Sequence, residues 1–191
     1  MKIFFLVTTL LAALLADLLI GNFGFSVSLT TGTLLYFCGS FGSKHTLLAA
    51  VAAGVFLDMC YARPEAFSAA VLLTATAAGM YFIPAREYRN SLIRSLPVGA
   101  AAEGVFVLAN AAAISCIWGK TGYPSGIPAH LMTAMLFGML CFPGLTILLD
   151  TIAATLNLPR YLVSAPEDIL PQNNPLDDVP VETASRRRRR K

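Results

Sequence analysis

Long apolar runs, broken by short clusters of glycine, proline and charge, organise this chain. Six can be read: about Ile3 to Gly21, Phe23 to Gly42, Thr46 to Tyr61, Ala66 to Pro84, Leu96 to Trp118 and Ile127 to Ala154. A helix needs about 20 residues to cross a hydrocarbon core about 30 Å thick. By that measure the third run is short. The sixth is long and carries Pro143-Gly144, which points to a kink or a tilt. Between the runs, "GNFGF", "GSFGSKH" and "YARPEA" read as tight breaks and "GKTGYPSGIP" as irregular loop. "PAREYRNSLIRSLP" is a charged connection with room for a short interfacial helix. The pattern predicts an all-α integral membrane protein, a bundle of six transmembrane helices over 1–156.

Composition supports the same class. Of 191 residues, 56% are hydrophobic and 13% charged, with a mean hydropathy of +0.66. A soluble domain carries about 25% charged residues, so too little polar side chain is present to cover a soluble globule. Lys2 and the apolar run after it resemble a secretory signal. That run, however, continues past Asp17 through "LLIG" with no small-x-small site behind it, so it is read as an uncleaved first helix.

Charge then sets an orientation. With six spans and the N-terminus in the cytoplasm, the inner segments hold Lys2, Lys44, Arg86, Arg89, Arg94, Arg160 and Arg186 to Lys191, twelve of the fourteen basic residues. The outer loops hold two, Arg63 and Lys120. This bias obeys the positive-inside rule and places both termini in the cytoplasm. From Asn157 the chain turns polar and proline-rich, with too little apolar surface to fold alone, so 157–191 is expected to be a disordered tail. Its terminal run, Arg186, Arg187, Arg188, Arg189, Arg190 and Lys191, is suited to anionic lipid at the inner leaflet. Such a run has no shape with which to read bases, so nucleic acid is not an expected partner.

Carboxylates within apolar runs are the candidate chemistry, because a charge at mid-bilayer costs at least about 2.5–3.5 kcal/mol. Asp17, Asp58 and Glu103 are the candidates for structural or partner-binding roles. Asp150, near the inner end of the sixth run, is expected to reach the headgroups. Glu103 shares a stripe with Gly99, Val107 and Asn110 that should face other helices. Ala50, Gly54 and Asp58 fall on one face of the third helix, and Ala100 and Gly104 form a small-residue pair on the fifth; such residues let helices approach closely. Cys38, Cys60, Cys116 and Cys141 are widely spaced, and His45 and His130 stand singly. No metal site, cofactor or catalytic residue is expected, since no nucleophile elbow, phosphate loop or zinc motif occurs.

The stretch "AAVAAGVFLDMCYARPEAFSAAVLLTATAAG" resembles the rod shape-determining MreD family. Gly54, Asp58 and Pro64 match its Gly-x-x-x-Asp pattern and the proline turn that follows; Arg63, Glu65 and Ala66 depart from it. Asp17 is similar to polar residues placed at the end of the family's first helix. The resemblance covers about residues 1–158. It implies a non-enzymatic scaffold of the bacterial cell-wall elongation machinery in the inner membrane, beside MreC-like and other elongation proteins. It also implies a fold similar to the substrate-binding subunits of energy-coupling-factor vitamin transporters. Two alternatives stay open: a small-molecule-binding subunit of such a transporter, and a small proton-coupled carrier using Asp17, Asp58 and Glu103.

Overall fold

The computed structural model describes residues 2–21, 28–61, 67–84, 89, 91–118 and 127–162. Among these residues the chain is all-helical, with six α-helices: α1 Lys2–Gly21, α2 Leu29–Phe41, α3 Ser43–Cys60, α4 Phe67–Phe82, α5 Leu96–Trp118 and α6 Ile127–Thr155. A 3-10 turn, Leu92–Ser95, leads directly into α5. Among the described residues, four helical stretches are long and apolar enough to cross a membrane: Lys2–Ile20, Ser43–Cys60, Leu92–Ala112 and Ile127–Thr155. At 1.5 Å per residue, α6 is about 43 Å long and outreaches a 30 Å core, so it must tilt to cross one. It runs through Pro143 without a break.

Two boundaries differ from the pattern of apolar residues. The third helix begins at Ser43, because Ser43, Lys44 and His45 form an exposed polar first turn below the apolar run. That extension gives α3 the length the run lacked. The second helix begins at Leu29, six residues later than its apolar run, because the extended backbone of Ser28 caps it there. Phe23 to Val27, expected to be helical, lie outside the described residues. At 13 residues, α2 is about 20 Å long, short of a crossing.

This short helix is the centre of the fold. It touches all five other helices, and Leu34, Leu35, Tyr36 and Phe37 are completely buried, so four consecutive positions around its circumference face protein. Sequential neighbours pack side by side, most extensively α5 with α6, α3 with α4 and α4 with α5. Two apolar clusters result. One joins Leu34 of α2 to Leu10, Leu14, Ala50, Ala53, Leu57 and Leu72. The other gathers Phe5, Tyr36, Phe37, Val98, Phe142 and Tyr161. Ile3, Phe4, Leu19, Leu48, Met132 and Leu140 point outwards and give the assembly its apolar exterior. In a soluble protein such a surface would be a liability; against lipid tails it is the expected finish.

Close approach depends on small residues. Gly54 lies against the backbone of Ser68 and Ala69, and Ala50 on the same face of α3 is fully buried. On α5 the contact with α6 runs through Gly99, which meets Gly138 backbone to backbone. Of the expected pair, Ala100 is only half-buried, while Gly104 is buried and meets the side chains of Met135 and Leu131 on α6 rather than a backbone. The stripe that includes Gly99 and Glu103 is the face α5 turns inwards, with Val107 buried on it. Gly42 alone joins α2 to α3, at φ 103°, a conformation that L side chains rarely adopt.

The expected tail boundary at Asn157 also moves. Asn157 takes a left-handed conformation (φ 52°) and reverses the chain. The Leu158 amide donates to the Ala153 carbonyl at 2.8 Å and the Asn157 amide to Ala154 at 3.2 Å. These two bonds make a Schellman cap. Leu158 and Tyr161 then turn back into the core and are buried. The segment is polar on average, but Leu158 and Tyr161 anchor it. Residues 163–191, with the basic run Arg186 to Lys191, lie outside the described residues.

Candidate functional site

Inside a bilayer a helix end has no water to satisfy its free amides, and each unmet group costs several kcal/mol. The N-terminus of α2 meets this demand with side chains from three places. The Ser28 amide donates to Glu103 of α5 at 3.2 Å. The Leu29 and Thr30 amides donate to the two carboxylate oxygens of Asp17 on α1, at 2.7 and 3.0 Å. The Thr31 amide donates to Ser28 Oγ at 3.1 Å, the ordinary N-cap bond. Ser28 Oγ also lies 3.2 Å from Asp17. Two carboxylates from different helices therefore converge on one helix start, where the backbone dipoles carry partial positive charge.

Asp58 repeats the device at the next hairpin. It is 4% exposed. Both its oxygens accept from the Ser68 amide at 2.9 Å, and one lies 3.4 Å from the Ala69 amide. The carboxylate at the end of α3 thus caps the start of α4, four residues after Gly54 has brought the two backbones together. Arg63 and Pro64, which follow Asp58 in the sequence, lie outside the described residues.

Asp150 is the residue whose role the sequence misplaced. It was expected at the headgroups, yet it is buried. It accepts from the Tyr36 hydroxyl at 2.8 Å, the Tyr161 amide at 2.7 Å and the Leu162 amide at 2.9 Å. The chain reversal at Asn157 brings those amides back to it, and no apolar pattern signals that reversal. The spacing does carry a signal. Asp17 serves amides 12 and 13 residues ahead, Asp58 10 and 11, and Asp150 11 and 12.

Above Asp150, Tyr161 stacks on Tyr36 with centroids 6.1 Å apart and meets Phe142 edge-on at 5.7 Å. The buried Arg89 guanidinium sits 5.2 Å from the Tyr161 ring centre and donates to the Gly39 carbonyl at 2.6 Å. Burial pushes the Tyr161 phenol up to about 12, against the opposing pull of Arg89. Arg89 therefore belongs to the core here, not to a solvated charged loop.

A cavity of about 20 Å³ lies beside Glu103, lined by Ser28, Gly32, Gly99, Gly138, Cys141 and Phe142. It has room for one water. Among the described residues no cluster of His, Cys, Asp and Glu could hold a metal, and His45 and His130 are exposed on first turns of helices. Taken together, the interior carboxylates are engaged in holding helix starts and a chain reversal. No family model, curated protein or solved structure matches this chain.

Proposed function

We propose that this chain is a non-enzymatic membrane scaffold of the bacterial cell-wall elongation machinery, of the rod shape-determining MreD kind. The observation that supports this reading most directly is the joint use of Gly54 and Asp58. Two of the residues that carry the resemblance, Gly54 and Asp58, also fasten α3 to α4. A pattern that builds a hairpin, with its carboxylate committed to backbone amides, suits a protein that works by presenting a rigid surface. On this reading α2 and α4 complete a six-helix bundle in the inner membrane, similar to energy-coupling-factor binding subunits, with both termini cytoplasmic. The partner is an MreC-like protein, with other elongation proteins nearby, and the basic run Arg186 to Lys191 rests on anionic lipid.

The transporter alternative has less support. The cavity at Glu103, about 20 Å³, is by itself too small for a small-molecule site of about 300–1,000 Å³. The carrier alternative needs a carboxylate free to exchange its partners, whereas Asp17 and Asp58 each hold two backbone amides and Glu103 holds that of Ser28.

The deciding experiment depletes the chain in its host, measures cell width, and identifies what co-purifies with it. Widened or rounded cells and recovery of an MreC-like protein are expected. Unchanged cell shape, or transport by the purified chain alone in vesicles, would overturn the reading.

A further inference from the structure

The segment that follows α6 returns to the core through contacts of a particular kind. Tyr161 enters a slot between Tyr36 and Phe142 with Arg89 across its face. The slot exists because position 39 is glycine: a Cβ there would overlap the Tyr161 ring and crowd the Arg89 guanidinium. Below the ring, Asp150 accepts the amides of Tyr161 and Leu162. Asn157 and the buried Leu158 are held by the cap of α6. Beyond them Arg160 is exposed and Leu162 only half-buried, so one ring and two backbone bonds carry the attachment of residues 159–162.

We propose that residues 159–162 are a releasable strap, exchanging between a seated state that fills the Gly39 slot and an unseated state that opens it. The groups uncovered on release are a carboxylate, a guanidinium and the Tyr36 hydroxyl, all of which water satisfies in exchange for the lost bonds. That exchange separates this segment from the caps of α2 and α4, which lie inside helix-to-helix hairpins. Local opening of this sort draws on the least tightly held elements of a fold. Twenty-nine further residues follow the strap in the sequence, so it is the point through which any pull on them reaches the core.

The test is limited trypsin digestion of the full-length chain in lipid nanodiscs, timing cleavage after Arg160 by mass spectrometry against cleavage within Arg186 to Arg190. A seated strap withholds the Arg160–Tyr161 bond, and transient release exposes it. Cleavage after Arg160 is expected in the wild type, slower than in Tyr161→Ala by about tenfold or more. Tyr161→Phe, which keeps the ring, should behave as the wild type. Gly39→Ala, which blocks the slot, should match Tyr161→Ala; Asp150→Asn is the substitute if that variant does not fold. Equal rates in wild type and Tyr161→Ala would mean the segment is never seated. Complete resistance of the wild type while Tyr161→Ala is cut would mean it is fixed. Either result overturns the proposal.

Discussion

A methyl group added at Gly54 would collide with the backbone of Ala69, which cannot swing aside. The same methyl at Gly104 would meet Met135 Cγ at 3.2 Å, the side chain of a flexible residue. Gly54→Ala should therefore cost about 1–3 kcal/mol of stability, lowering the melting temperature by roughly 2–4 °C for each kcal/mol. Gly104→Ala should stay within about 1 °C, because methionine repacks cheaply; melting of both in the same detergent compares them. At Asp58 the argument concerns acceptors. Asp58→Asn keeps one carbonyl oxygen for the Ser68 amide, and Asp58→Leu removes both, at a cost of about 1–3 kcal/mol. The asparagine variant should therefore retain more folded protein and more shape-restoring activity than the leucine variant at equal expression. Equal loss in both would point to a proton-transfer role instead.

Caps act on whole helices, and α2 shows it most clearly. Asp17→Ala removes the acceptor of the Leu29 and Thr30 amides, while Glu103→Ala removes that of Ser28. Hydrogen exchange should accelerate at residues 29 and 30 in the first variant and at 28 in the second, by about tenfold for each 1.4 kcal/mol lost. A uniform change along α2 in either variant would show that the two carboxylates act as one unit. The element boundaries show what the sequence makes visible. Runs such as Leu96 to Trp118 announce themselves, since nothing but lipid or a wide core can accept them. The late start of α2 does not, because it is set by Asp17 and Glu103, the latter 75 residues away from Ser28. The burial of Asp150 was likewise hidden, since it needs the reversal at Asn157, and asparagine is a weaker signal for a left-handed residue than glycine. Gly99 was read as part of an inward stripe, but its contact with Gly138 joins two helices whose register no single run encodes.

For the molecule as a whole, the uneven distribution of Lys and Arg makes a firm expectation. Reporter fusions after Arg94 and after Lys191 should report cytoplasm, and one at Tyr123 the opposite side. An external signal at Lys191 would require an odd number of crossings and discard the six-span bundle. The short, enclosed α2 bears on how such a bundle comes to be made. Its first turns read "LTTGT", and it offers the bilayer about 20 Å of helix with polar Thr30, Thr31 and Thr33 near its start. A translocon sorting segments one at a time would have little reason to release it sideways into lipid. Asp17, a poor passenger in α1 on its own, and the free amides of α2 cancel each other's penalty only when both are present. Membrane insertion should therefore commit α1 and α2 together: a nascent chain stopped after Phe41 should integrate as a hairpin in the wild type, and Asp17→Ala should leave α2 behind in the aqueous pore.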